Sequence, residues 1–220
     1  MRLWSHDGTE VRFKPAGDPA APFVTLDPLR KSVEYDVEHQ GDHFLIRTNE
    51  GAENFKLLAA PTASPAERRE LIPHRADVLI DGVDAFADYL VVYERRGGLQ
   101  QIRITEADGS DARYVPFPEP VYSLAASENP EYESDALRFS YSSLVTPRSV
   151  VDYHMAEGGW ELLKQDEIPS GYDPGLYVSE RLEAVAPDGA RVPISLVRRR
   201  DTPLDGSAPA LLIGYGSYGF

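Results

Sequence analysis

The sequence predicts a mainly β protein: a partial β-propeller of about three four-stranded blades plus part of another, followed by a separate β-rich segment. Three stretches that begin with Asp and then alternate apolar with other residues predict it: DHFLIRTN at 42–49, DYLVVYER at 88–95 and DALRFSYS at 135–142. Their starts lie 46 (88 − 42) and 47 (135 − 88) residues apart. Period 2 marks strands, not helices. Four strands repeated at this spacing is the blade period of a propeller. Gly 17 plus Pro 18 makes 35 of 220 residues, a raised share that favours short elements and many turns.

The elements follow in order. Residues 1–27 hold the strand-like EVRF (10–13) and FVTL (23–26), read as the last part of a preceding blade. The first whole unit has strands at 32–39, 42–49, 54–60 and 68–73; the second at 76–83, 88–95, 99–105 and 112–117; the third at 120–127, 135–142, 149–154 and 160–165. Phe44 and Ile46, Leu90 and Val92, and Leu137 and Phe139 are the expected inward positions. The turns NEGA and RRGG carry Gly, as tight hairpins require, whereas the third, VTPR, does not. Propellers close with typically 4 to 8 blades, so three and a fraction are expected to be part of a longer ring.

The alternation stops after Gln165, and the domain boundaries are placed at 1–166 for the propeller, 167–177 for a Pro- and Gly-bearing linker, and 178–220 for a second domain. There SERLEAVA (179–186) and RVPISLVRR (191–199) form a hairpin around PDGA, and the apolar PALLIGYG (209–216) reads as a third strand. Three strands with no covering helix leave two naked faces, so this domain too is expected to be incomplete.

Composition bounds the function. With 22 Lys+Arg against 36 Asp+Glu, the net charge of −14 disfavours nucleic acid and anionic membrane surfaces as partners and suits a cationic one. Cysteine is absent, which removes disulfides, thiolate metal sites and a cysteine nucleophile. A cytoplasmic location is the expectation. No apolar run approaches the roughly 18 residues of a membrane span, and the opening MRLWSHDGTE has no secretory h-region.

The densest motif is GYGSYG at 214–219. Gly214, Gly216 and Gly219 match G-x-G-x-x-G, but a dinucleotide fingerprint opens a βαβ unit, and an antiparallel hairpin precedes this one. Ser217 lacks the elbow pattern G-x-S-x-G, because Tyr215 stands where the first Gly is needed. The third reading is a glycine-rich bend at a strand's carboxyl end that presents Tyr215. His39, Asp42 and His43 flank a predicted hairpin turn and read as solvated turn residues, not metal ligands. DGVD (81–84) and ADGSDA (107–112) fall at blade turns without the spacing of a calcium loop. Ser142, Ser143 and His154 share a blade but have no elbow and no orienting acid. The run Arg198–Arg200 reads as an exposed strand end.

The segment YVSERLEAVAPDGARVPISLVRRR…APALLIGYGSYGF (177–220) resembles the start of the second catalytic segment of the prolyl oligopeptidase family of serine peptidases, and within it oligopeptidase B. LRFSYSSLVTPRSVVDYHMAEGGWELLKQDEIPSGYDPGLYVSER (137–181) is similar to that family's last blade and its exit, and 81–104 also resembles the family. The likeness covers about residue 20 to 220. It implies a seven-bladed propeller capping an α/β-hydrolase domain, whose first strands would be those after 178, and cleavage of short peptides after Arg or Lys. The propeller would exclude folded proteins by size. By position in the Y-G-x-x-G turn, Tyr215 is implied to donate a hydrogen bond to the oxyanion. No G-x-S-x-G occurs in the 220 residues, so the nucleophile, acid and base are expected outside this chain, which would be inactive alone. Short basic peptides are the implied partners, and neither metal nor organic cofactor is implied. A non-catalytic propeller scaffold and a family member cutting after proline are the alternatives.

Overall fold

The computed structural model describes residues 1–5 and 8–215, and within them regular structure is almost entirely antiparallel sheet. Strands β1 (Arg2–Ser5), β2 (Gly8–Phe13) and β3 (Val24–Asp27) form a three-stranded sheet. Strands β4 (Tyr35–Gln40), β5 (His43–Thr48), β6 (Lys56–Pro61) and β7 (Arg69–Ile72) form the first four-stranded blade. The second blade is β8 (Val78–Ala85), β9 (Tyr89–Arg96), β10 (Leu99–Glu106) and β11 (Arg113–Tyr114). The third is β12 (Tyr122–Ala126), β13 (Ala136–Ser143), β14 (Ser149–His154) and β15 (Trp160–Gln165). Each is a meander in chain order, at the predicted positions. The leading sheet has a strand that the alternation did not reveal, β1, which pairs with β2 from Arg2↔Val11 to Ser5↔Gly8.

Successive sheets pack face to face. Phe44, Ile46 and Tyr35 of the first blade pack against Val11, Phe13 and Leu26 of the leading sheet. Leu90, Val92 and Ile80 of the second blade meet Leu45, Leu57 and Ile72 of the first. Leu137, Phe139 and Tyr141 of the third meet Val91, Ile102 and Ile104 of the second. The six predicted inward residues are therefore those that face the preceding sheet.

The intervening positions correct the one-sided picture. Leu45 and Val91 are as buried as their neighbours, at 2% and 0% exposure, because the following blade covers the opposite face. The third blade shows the reason: Arg138 stands 47 residues after Val91 on the equivalent strand, no described sheet follows, and it is exposed. Its guanidinium pairs with Asp152 at 2.8 Å along the sheet. Each fully buried aliphatic side chain in these layers contributes about 1.5–3 kcal/mol, so the blade-to-blade seams hold most of the apolar energy.

The β9–β10 turn is a two-residue loop, Gly97–Gly98, closed by the Arg96↔Leu99 pair. Both glycines have positive φ, 55° and 78°, the geometry that matches the right-handed twist of the flanking strands. The β13–β14 loop, without glycine, is held instead by the Ser143 hydroxyl, which accepts from the Val145 and Thr146 amides at 2.9 and 2.7 Å.

Past β15 the chain runs without regular structure to a single 3₁₀ turn, Pro174–Leu176, capped by Asp173. Strands β16 (Tyr177–Val185) and β17 (Arg191–Arg199) then form the predicted hairpin, with Gly189 at φ 86° in the bend. The expected third strand over 209–216 is not formed in its described part. Leu211, Leu212 and Ile213 are 85%, 85% and 81% exposed. A strand gains its ladder bonds and buried face only from a neighbour, and the two-stranded hairpin supplies neither. Gly216 lies outside the described residues, and no α/β layer is present among them.

Candidate functional site

Two features of the described residues stand out as candidate sites. The first is the wall formed by the leading strands of the blades. Alternation along β4 sends Tyr35 and Val37 into the seam with the preceding sheet, which leaves Asp36, Glu38 and Gln40 directed at the second blade. There β4 lies against β8, on which Asp84 pairs with Val91 and is directed at the other face, toward the third blade. Asp36 is held by Arg2 at 2.6 Å and by Arg47, and Asp84 accepts from the Tyr93 hydroxyl at 2.7 Å and from Asn129 at 3.3 Å. Glu38 has no cationic partner among the described residues. Burial, then the charges of Asp84 and Asp36, push its carboxyl above the usual carboxylate range. This wall therefore carries negative potential that its own arginines only partly offset.

The second feature is the junction between the blades and the hairpin. The Arg181 side chain donates to the Gly97 carbonyl, and a Cβ at Gly98 would stand 3.2 Å from Pro193 Cγ, so the tip of β9–β10 abuts β16–β17. The Tyr172 hydroxyl donates to the Val145 carbonyl at 2.8 Å, and its ring stacks on Tyr177 at 5.6 Å. A groove of about 470 Å³ runs there between Val145, Pro147, Ile168 and Tyr172. Tyr122, whose hydroxyl donates to the Gln100 carbonyl at 2.9 Å, has its phenol pushed up to about 12, mainly by burial and against the opposing charge of Arg181. Glu119 accepts from Tyr141 at 2.5 Å and Ser143 at 2.8 Å on the same side.

Tyr215 is described together with Gly214; its side chain is 66% exposed, and the rest of the glycine-rich turn, with Ser217, lies outside the described residues. Ser143 and His154 sit at opposite ends of the β13–β14 hairpin, Ser143 bonded to Glu119 and His154 near Glu161 at 3.6 Å. His43 pairs with its neighbour Asp42 at 2.5 Å, while His39 leans on the Phe44 ring at 6.0 Å. No group of three or more His, Asp or Glu is close enough to hold a metal among the described residues. DGVD lies within β8 and not at a turn, with Asp81 paired to Arg95 at 3.4 Å, whereas Asp108 does sit in a turn, where it caps the Ser110 amide at 2.8 Å. Sequence reasoning missed Gln40, Arg181 and the carboxylate row on β4, because their partners lie in other blades.

Residues 1–166 match the model of the prolyl oligopeptidase N-terminal β-propeller domain. Over 215 residues the chain is 42% identical to the dipeptidyl aminopeptidase BI of Pseudoxanthomonas mexicana, covering 96% of this chain and 29% of that protein. It is 30% identical to Protease 2 of Moraxella lacunata, covering 96% of this chain and 30% of the relative. Among solved structures it superimposes on oligopeptidase B from Leishmania major with a TM-score of 0.79 at 32% identity, covering 90% of this chain and 29% of that one. The chain thus spans under a third of the length of these relatives.

Proposed function

The chain belongs to the prolyl oligopeptidase family, through the N-terminal β-propeller domain that residues 1–166 match, and from that membership we propose that it is the propeller and junction of a serine-type oligopeptidase that cleaves short peptides after Arg or Lys. The observation that carries the reading is the family propeller leading directly into a hairpin docked on a blade turn through Arg181 and Gly97. A free-standing scaffold propeller has no use for that junction. The specificity rests on charge: a chain at −14 whose leading strands β4 and β8 carry Asp36, Glu38 and Asp84 favours cationic peptides and disfavours anionic ones.

Within this reading the Tyr215 hydroxyl donates a hydrogen bond to the oxygen that becomes negative in the transition state. A phenol held in a water-poor cleft stabilises that charge only as it develops, so its loss falls on the chemical step. The nucleophile, with its G-x-S-x-G elbow, belongs to sequence outside the 220 residues. This chain by itself hydrolyses nothing, and the full-length protein works in the cytoplasm on short basic peptides. The test is the full-length Tyr215→Phe variant, expected to lower kcat about 10²–10³-fold with little change in KM. An unchanged kcat removes Tyr215 from the mechanism, and turnover by the 220-residue chain alone removes the division of labour.

The 42% identity to a dipeptidyl aminopeptidase supports a second reading, removal of amino-terminal dipeptides. It requires a free α-ammonium on the substrate. Arginyl substrates with free and with blocked amino termini separate the two: strong preference for the free terminus selects the second reading.

A further inference from the structure

On the hairpin side of the seam between the second and third blades, the chain builds a pocket that the proposed reaction does not use. β11 is only two residues long, because Pro116, Pro118 and Pro120 follow Val115 and have no N–H to continue the ladder. The segment 116–120 therefore leaves the sheet edge and crosses to β13, where it delivers Glu119. The outer part of the seam stays open. A pocket of about 410 Å³ remains there, lined by Glu119, Tyr141, Val151, Trp160, Leu162 and Gln165.

Two hydroxyls fix Glu119 in this pocket. The Ser143 hydroxyl accepts from the Val145 and Thr146 amides at 2.9 and 2.7 Å, so its own proton is directed to Glu119 at 2.8 Å. The Tyr141 hydroxyl, on a ring that is 3% exposed, donates to the other carboxylate oxygen at 2.5 Å. Burial, then this hydrogen bond, push the Tyr141 phenol above its ordinary range, so the phenol keeps its proton and acts as the donor. A carboxylate offers about four acceptor positions, and these donors take one on each oxygen. No Arg, Lys or His pairs with Glu119 among the described residues. The rings beside it hold one another in place. Trp160 stands edge-on to Tyr141 at 5.3 Å and to Phe117 at 5.4 Å, and Phe117 stacks on Tyr141 at 6.0 Å. Val151 is buried, Leu162 is an exposed apolar rim, and Gln165 is tied to the Ser149 hydroxyl at 3.0 Å.

We propose that this pocket binds the guanidinium of an arginine side chain carried by a peptide from solution, with Glu119 as its anionic partner and Trp160 as its aromatic wall. The chemistry of the lining selects that occupant. A carboxylate with a free acceptor position on each oxygen matches the two parallel N–H groups of a guanidinium, a match that the point charge of an ammonium does not make. The indole adds attraction for a cation, and the apolar rim covers the methylene stem. An anion would meet the charge of Glu119 with no donor to offset it, and a neutral apolar group would leave both acceptor positions unpaired. The inference goes beyond the peptidase reading, because it needs no turnover and holds whichever bond the full-length protein cuts.

The test uses the full-length protein, treated with a serine-directed inhibitor and titrated with Nα-acetylarginine amide or with its neutral analogue Nα-acetylcitrulline amide. Hydrogen exchange at the amides of Phe117, Glu119 and Val121 and at residues 143–146 is expected to slow with the arginine probe and not with the citrulline one. Glu119→Gln keeps the shape and an acceptor for Ser143, and is expected to weaken the binding read from this protection about ten-fold or more. Leu162→Arg changes only an exposed position, sets a competing cation at the rim, and is expected to weaken the same binding by a similar factor. No protection at these segments overturns the site, and a pocket already filled by another part of the full-length chain gives that result. Equal protection by the citrulline probe overturns recognition of the charge. Wild-type affinity in Glu119→Gln removes Glu119 as the partner, and wild-type affinity in Leu162→Arg overturns the pocket as the place of binding. The readout is binding, so a full-length protein that cleaves no peptide refutes the peptidase reading and leaves each of these outcomes decisive.

Discussion

Leu90 and Val91 are adjacent on β9, and a period-2 strand with one buried face would put one in the core and the other in water. In the structure both are at 0% exposure, Leu90 against the first blade and Val91 against the third. Val91→Ala removes the equivalent of two methylenes, about 1.6 kcal/mol at 0.8 each. The cavity left in the seam with Leu137 and Phe139 adds to this, for a total of about 2–3 kcal/mol. Leu90→Ala is expected to cost about 3–4 kcal/mol by the same terms. Arg138→Ala, at the equivalent position of the third blade, loses an exposed ion pair and is expected to cost under about 1 kcal/mol. The measurement is urea unfolding of the 220-residue chain followed by Trp160 fluorescence, since Trp160 packs on Phe139 and Tyr141 at 5.5 and 5.3 Å. A Val91→Ala midpoint within about 0.5 kcal/mol of wild type, the range of ordinary surface substitutions, would refute two-sided burial and with it the stacking of the second and third blades.

Two further outcomes are expected. Because folding raises the Glu38 carboxyl above its ordinary range, the native state holds that proton more tightly than the unfolded chain, so the group's contribution to stability falls as pH rises from the ordinary range through the raised value. Glu38→Gln is therefore expected to stabilise the protein at neutral pH and not below the ordinary carboxylate range, and to weaken the salt dependence of kcat/KM for cationic peptides in the full-length enzyme. A stability gain independent of pH, or a gain only in acid, contradicts the electrostatic account. Gly98→Val places a side chain at φ 78° and against Pro193, and is expected to destabilise the turn by about 1–3 kcal/mol and speed proteolytic cleavage in 166–176. Unchanged cleavage would separate the turn from the junction.

Much of the blade architecture was legible because each strand's alternation is local and its repeat is arithmetic. The strands around Phe44, Leu90 and Leu137 stand where the spacing put them. β1 escaped notice because four residues, RLWS, are too few to show a period. The burial of Leu45 and Val91 escaped because strand periodicity cannot say whether a second sheet covers the other face, although Arg138 at the third repeat of that position is a signal of where the stacking stops. The PALLIGYG segment shows the converse: its composition suits a strand, and over its described part it has no neighbour to make it one.

Alone, then, the sequence determined the class of element, the blade period, the turn chemistry at Gly97–Gly98 and the family to which the chain belongs, all of which depend on residues near one another in the chain. Tertiary structure decided which faces are buried twice and that Glu38 feels the charges of both Asp84 and Asp36. It also decided that Arg181 docks on Gly97 and that Tyr132 reaches Gly41. These contacts join residues tens of positions apart, and their partners are set by how twisted sheets stack around an axis, which no local pattern encodes.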